Sequence, residues 1–541
     1  DSTRMLGGKK DRALIVVVVV ATAVVLLPKL TNQFVYDDVP VFVLSDRVHD
    51  VSNVPSFFAH NTMYVADRNE PIAVDTYRPL TLTTFALDSV LTGKAPVGYH
   101  VTNLLIHLLC VWLVYRLARV VLCEENRAFA WVAAAWFSFS PWLGEAHVWI
   151  NGRSDPLCTM FVLASLLVWD RGLTSKRMVL QVAGGTLFLA ALFCKEVAIG
   201  VLPTLWFWPR LVRAGAPWRE RLVAMSLPAT AAAAYLGVRT VVLGGLGANA
   251  GSAHLLESVR NFGVLVVDAL RAVIVPTTPY LRSLVESYVP IDPVLRWVLT
   301  AAAVVLLLLA VLGHRRQPAL SWSVLFFAAT LAPVVMVSTL IWPGFGRYLY
   351  LPFAGLCVGL VDVCVSGLRR VGAFDRKTGR TAVAAGVGAY FAVNAALLFG
   401  FVGDFENDGT LYGAAMEHAP NHAYGYAYLG AAMSSIGRSE EALPYLEKAV
   451  SLQPYEPEYR IKYAQALIHS GREPRAAELA SQWANSGRPS DVPRYLMTWI
   501  DAEKQVHPDR ALALAEACVR DFPEHRGCRA RLDRLASDAS E

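Results

Sequence analysis

Two adjacent carboxylates, Asp37 and Asp38, stand in the run Phe34-Val35-Tyr36-Asp37-Asp38-Val39-Pro40, just past a first hydrophobic stretch. At the edge of apolar sequence such a pair costs desolvation and mutual repulsion, so chemistry or a partner must account for it. Other polar residues gather at the ends of hydrophobic segments. They are Tyr77-Arg78-Pro79, then Tyr99-His100 with Asn103 and His107, then Glu145 and His147 followed by Asn151-Gly152-Arg153-Ser154-Asp155. Lys195-Glu196 and Gly346-Arg347-Tyr348 complete the set. One carboxylate base with several cations suits the transfer of a lipid-phosphate-linked sugar to a hydroxyl. The acceptor O–H has a high pKa and needs a base as the bond to the anomeric carbon forms. The leaving lipid phosphate is already anionic, so it needs cations and hydrogen-bond donors rather than an acid. No HExxH, nucleophile elbow, P-loop or Cys/His metal spacing occurs, and neither a cofactor nor a divalent metal is expected.

Each group also has a structural alternative. Asp37 and Asp38 could cap a helix of the loop. Arg78 could pair with a loop carboxylate at a chain corner. His100, Asn103 and His107, at i, i+3 and i+7, form one polar stripe suited to interhelical hydrogen bonds. Glu145, Arg153 and Asp155 could close their turn as an ion-pair network. Lys195 and Glu196 could pair with each other, and Arg347 could snorkel to the interface.

The elements that must position these residues are membrane helices. The 541 residues are 55% hydrophobic and only 17% charged, which excludes an ordinary soluble protein. Residues 13–27 read as a retained signal-anchor helix, since no small-residue cleavage site follows. Further apolar segments cover 99–122, 129–146, 157–169, 178–194, 197–208, 222–243, 294–312, 320–341, 348–368 and 381–402, about eleven in all at spanning length. Basic clusters fall after every second span: Arg4 to Arg12, Arg116 with Arg119, Arg171 to Arg177, Arg210 to Arg221, Arg315-Arg316, and Arg369 to Arg380. The positive-inside rule then gives an N-in, C-out topology with Asp37 and Asp38 on the external or luminal side. These clusters absorb the net charge of +5, so no nucleic-acid partner is implied. Segment 264–276 carries Asp268 and Arg271 and reads as re-entrant or interfacial within an external region 245–293.

From Asp404 the chain becomes charged, Ala-rich and helical, so the expected organisation is a membrane domain over 1–403 and an external domain over 404–541. The first external loop covers 29–98. Residues 425–454 place Leu429-Gly430, Gly437, Ala442, Ala449 and Pro454 at the offsets of a tetratricopeptide repeat. A second copy carries Tyr463-Ala464, Leu467, Gly471, Ala476 and Ala480. A weaker third has Tyr495, Ala511, Ala515 and Pro523, and 404–420 looks like the second half of a capping repeat. Small residues at these offsets let paired helices approach, giving a stacked α-solenoid. Cys518 and Cys528 fall on neighbouring helices of this region, where a disulfide can form in an oxidising compartment.

These motifs, in this order, resemble the transmembrane-and-TPR-containing O-mannosyltransferases over nearly the whole chain. The runs that carry the likeness are Phe34 to Asp38, Tyr77-Arg78-Pro79-Leu80, Gly98 to Asn103 with His107, Val148 to Asp155, Lys195-Glu196, Arg347 to Pro352 and the repeats. The resemblance implies an all-α GT-C glycosyltransferase fold followed by the solenoid. It also implies a polyprenyl- or dolichyl-phosphate sugar donor, commonly mannose, transferred with inversion. Carried over, Asp37 or Asp38 is the base, with Asp37 favoured by analogy. Arg78, Arg153, Lys195 and Arg347 hold the phosphate, and Glu145, His100 and Glu196 shape the sugar pocket. The family's arginine before Tyr-Leu-Tyr usually follows an acid, whereas Gly346 stands here. The repeats would present a protein acceptor's Ser or Thr. Competing readings are a transferase acting on a glycan or lipid, and a membrane transporter or scaffold. Arg-, Ala-, Val- and Leu-rich composition favours a bacterial inner membrane with a periplasmic active face over an endoplasmic reticulum membrane with a luminal one.

Overall fold

A computed structural model describes residues 2–66, 76–245, 252–278, 292–341, 346–486, 491–523 and 525–538. These residues form helices and connecting turns, with no strand among them. They divide into two compact units, the first running through Glu406 and the second from Asn407.

In the first unit, seven helices are long and apolar enough to cross a membrane: Asp11–Thr31, Pro96–Val121, Asn151–Ser175, Trp218–Leu243, Pro293–Gly313, Gly346–Arg370 and Lys377–Asp404. Two shorter apolar helices, Met178–Cys194 and Pro318–Val334, coincide with two more expected spans. The chain is a multi-pass membrane protein. The remaining two expected segments, 129–146 and 197–208, are broken. Ala130–Phe139 stops before Pro141, and two single-turn pieces come next, Pro141–Leu143 and Gly144–Val148. Likewise Glu196–Val201 is a 3-10 helix and Leu202–Leu205 a single turn containing Pro203, and Pro209 opens the next short helix just past the run. Proline lacks the N–H that helix continuation requires, so apolar composition there does not produce one unbroken helix of spanning length. Ser252–Ile274 is one unbroken helix packed on Pro293–Gly313 and Pro318–Ile341.

Close helix contacts are set by small residues. A Cβ on Gly184 would stand 2.8 Å from the Cβ of Trp169, where Met178–Cys194 packs on Ser154–Ser175, and Ser165 donates to the Gly184 carbonyl at 2.7 Å. The loop that follows the first helix builds its own small core. Val41, Phe42, Val48, Phe57 and Val65 bury against Phe85, Tyr99 and Ile150, which fixes the loop carrying Asp37 and Asp38.

The second unit is an α-solenoid. Helix pairs Ala423–Ser435 with Ser439–Leu452, Pro457–His469 with Glu473–Ser486, and Val492–Glu503 with Pro508–Asp521 follow a lone Asp408–His418 and precede Arg526–Asp538. Ala442, Ala449, Ala464, Leu467, Ala476, Ala480, Tyr495, Ala511 and Ala515 are all buried, as the repeat offsets require. A Cβ on Gly430 would meet Leu446 Cγ at 2.5 Å, so only glycine lets these paired helices close. Gly437 and Gly471, at φ 84° and 73°, end the first helix of two pairs in the left-handed conformation that glycine adopts without strain. Cys518 and Cys528 form a disulfide.

Candidate functional site

The two aspartates differ in setting. Asp38 is fully buried: its Oδ1 accepts the Asn151 N–H at 2.9 Å and its Oδ2 the Val35 N–H at 3.3 Å. It precedes the short helix Val39–Val43 but makes no cap to it, so its carboxylate ties the first external loop to the second turn instead. Asp37 is half-buried. Tyr36, immediately before, adopts φ 55°, a conformation rare for a bulky residue and held here by its surroundings. Its ring lies 5.5 Å from that of Trp149.

Trp149 also meets Arg347, whose guanidinium is 4.8 Å from the indole centre and 5.1 Å from the Tyr348 ring. Arg347 donates to Glu145 at 2.9 Å. The glycine in place of the family's usual acid has a steric reason: a Cβ on Gly346 would lie 2.0 Å from the Trp142 carbonyl oxygen. The acid partner comes from the second turn instead.

Pro79 opens the helix Pro79–Thr92, its missing N–H costing nothing at that position, and sets Arg78 at the helix start. Arg78 makes a two-pronged contact with Glu196, Nη2 to Oε1 at 2.8 Å and Nε to Oε2 at 3.3 Å. Burial alone raises a carboxyl's pKa, but the Arg78 charge and hydrogen bonds outweigh it and hold Glu196 down to about 2. Arg78 itself is raised, because the nearby Glu196, Asp155 and Tyr348 overcome its own desolvation.

Lys195 ends Met178–Cys194 in an extended conformation. It turns away from its neighbour Glu196 to both Asp155 oxygens at 2.6 Å, with its ammonium 4.7 Å from the Tyr348 ring centre. Glu145 pairs with Arg347, Arg78 with Glu196 and Lys195 with Asp155, and Tyr348 contacts both Arg347 and Lys195.

Accessibility separates the cations. The side chains of Arg78 and Arg347 are 21% and 17% exposed, whereas Lys195 is 2% and Arg153 0%. Arg153 is enclosed by Asp88 at 2.5 Å, Asn103 Oδ1 at 2.5 Å and the Tyr99 carbonyl at 2.9 Å, with the Phe85 ring 4.3 Å away. His100 is buried, with Nε2 3.2 Å from the Asn32 carbonyl. Asn103 donates to the Trp149 carbonyl and His107 bonds Tyr350 at 2.6 Å, so the polar stripe links helices. Asp88 is not among the sequence candidates, although a lone carboxylate in an apolar helix is the signal that could reveal it.

Residues 436–500 match the tetratricopeptide-repeat family model. The protein O-mannosyl-transferase Tmtc1 of Drosophila melanogaster is 29% identical over 179 residues, covering 33% of this chain and 20% of that protein. Human protein O-mannosyl-transferase TMTC1 is 32% identical over 145 residues, covering 27% and 16%. Human TMTC3 is 27% identical over 172 residues, covering 31% and 18%. Over these stretches the chain is similar to TMTC proteins. The matched stretch spans a fifth or less of each of these relatives.

Proposed function

We propose that this chain is an inverting glycosyltransferase that moves a sugar, mannose by the relatives' names, from a polyprenyl- or dolichyl-phosphate donor to a Ser or Thr hydroxyl of a protein. Asp37 acts as the base. Asp38 is occupied by two backbone amides, which suits it to positioning, and its neighbour is the more accessible carboxylate. Asp37 takes the acceptor proton as the hydroxyl oxygen bonds to the anomeric carbon. The bond from that carbon to the phosphate oxygen breaks, and the electron pair leaves with the lipid phosphate. Arg78 and Arg347, the accessible cations, receive the phosphate. Glu196 and Glu145 orient them and border the sugar, with His100 fixing the loop start beneath. Arg153 and Lys195 act from behind as positioning residues. The guanidinium pair meets the phosphate charge without an obligatory divalent metal.

The observation that carries this reading is the linkage of the aspartate loop to the basic face. Asp38 holds the Asn151 amide, and Tyr36 reaches Arg347 through Trp149. The face is external by the arginine clusters. Composition favours the periplasmic side of a bacterial inner membrane over the luminal side of the endoplasmic reticulum. The solenoid's half-buried Tyr424 and Tyr428 and its exposed Tyr455 offer a polypeptide aromatic contacts.

The test is transfer from purified polyprenyl-phosphate mannose to a Ser/Thr peptide by the full chain. Asp37→Asn should lower kcat by at least about 100-fold with little change in KM. Full activity in Asp37→Asn would overturn the assignment of the base, and full activity in Asp38→Asn as well would remove the pair from the chemistry. Chelation of divalent metals should leave transfer unchanged.

A further inference from the structure

At the opposite end of the helices that carry the site, a cavity of about 780 Å³ opens between Ser2–Leu26 and Pro96–Val121. Its floor is apolar, with Val16, Val20 and Trp112 all substantially exposed. Its rim is basic, carrying Arg12, Arg116, Arg119 and Arg127.

The charges are not used up internally. Arg119 is paired with Asp11 at 2.5 Å, an aspartate that also accepts from Tyr115 at 2.9 Å. Arg127 faces Glu124 at 3.4 Å. Arg12 and Arg116 make no ion pair with any described residue, and Arg116 lies 5.1 Å over the Trp112 ring, which fixes its direction. Four guanidiniums against two carboxylates leave the rim positive. The cavity is far from Asp37: Arg12 and Leu26 are separated along one helix by roughly 20 Å at 1.5 Å per residue.

We propose that this cavity is a binding site for an anionic glycerophospholipid. Its phosphodiester would sit between Arg12 and Arg116, and an acyl chain along Val16 and Val20. An apolar channel alone would accept any lipid chain. The two arginines that pair with no described carboxylate supply the preference for a charged headgroup, and Trp112 adds an aromatic wall beside the acyl path. The site is independent of the transferase reading.

The experiment is native mass spectrometry of the full chain, released from micelles equilibrated with equimolar phosphatidylglycerol and phosphatidylcholine. The chain should retain phosphatidylglycerol in preference, and Arg12→Gln/Arg116→Gln should reduce that retention by at least about tenfold. Both side chains are outward-facing, and unchanged helicity and elution volume report an intact fold. As a second measurement, added phosphatidylglycerol should raise the Tm of the parent chain and not of the double variant. Equal retention of the two lipids, or undiminished retention by the double variant, would sink the proposal. So would displacement of phosphatidylglycerol by equimolar polyprenyl phosphate or by millimolar inorganic phosphate.

Discussion

Arg78 and Arg153 carry the same charge in different surroundings. Arg153 is enclosed, and removing it strands Asp88 in a site where an uncompensated charge costs about 3–5 kcal/mol. Arg153→Ala should therefore lower Tm sharply, with lost activity following lost fold; an unchanged Tm would show that the pair is dispensable. Arg78→Ala and Arg347→Ala should instead keep most of the Tm and lower kcat/KM by about 10- to 1,000-fold, as loss of a phosphate contact does. The Arg78–Glu196 contact also has a pH signature. Glu196 is held at about 2, below the ordinary carboxyl value of about 4.3, so the pair's contribution is complete above pH ~4.3 and fades as pH falls toward 2. At pH 5–9 Glu196 stays ionised, and the acid limb of the rate profile belongs to another group. Glu196→Gln should lower the rate without moving that limb; a moved limb in a pH–rate series would contradict the assignment.

Among the elements, the short turns between helices carry most of the residues proposed for the chemistry. The stretch 141–155 has Gly144 against Phe401, Gly152 against the Ala146 carbonyl, and Trp142 against Gly346. Gly346→Ala would force the Trp142 backbone to move, at a cost of about 1–3 kcal/mol. Because Arg347 is next in sequence, the variant should lose transfer while the solenoid keeps its own unfolding transition in a thermal scan. The apolar runs and the repeat offsets are legible in the sequence because local composition and period determine them. Nine expected spans coincide with apolar helices, and the small repeat residues are buried as their spacing requires. Two runs are broken into short pieces because Pro141 and Pro203 interrupt the helix within apolar sequence. Pairing is not legible. Sequence proximity suggests Lys195 with Glu196, and Arg153 with Glu145 and Asp155. Lys195 and Arg347 instead find their partners 40 and 202 residues away, because only packing brings those turns together.

Over the whole molecule, the membrane unit carries every residue proposed for the chemistry, and the solenoid carries none of them. This separation of roles bears on the acceptor. Tethering a binding module to a catalytic unit raises the local concentration of whatever the module holds, with gains of about 10²–10⁴ and no new contact at the reacting atoms. If the solenoid recruits polypeptide, its removal should act on long acceptors and spare short ones. A chain ending at Glu406 should transfer sugar to a Ser/Thr peptide too short to engage the repeats within about threefold of the full chain, since a short acceptor gains nothing from the tether. Toward an unfolded protein acceptor, its kcat/KM should fall by at least about tenfold, through KM rather than kcat. A glycan or lipid acceptor predicts a different pattern: both peptide rates negligible in the full chain and transfer to the glycan unaffected by truncation. Measuring the three acceptors side by side, with helicity confirming that the truncated unit is folded, therefore decides what the repeats are for. Equal KM for the long acceptor before and after truncation would remove them from acceptor binding.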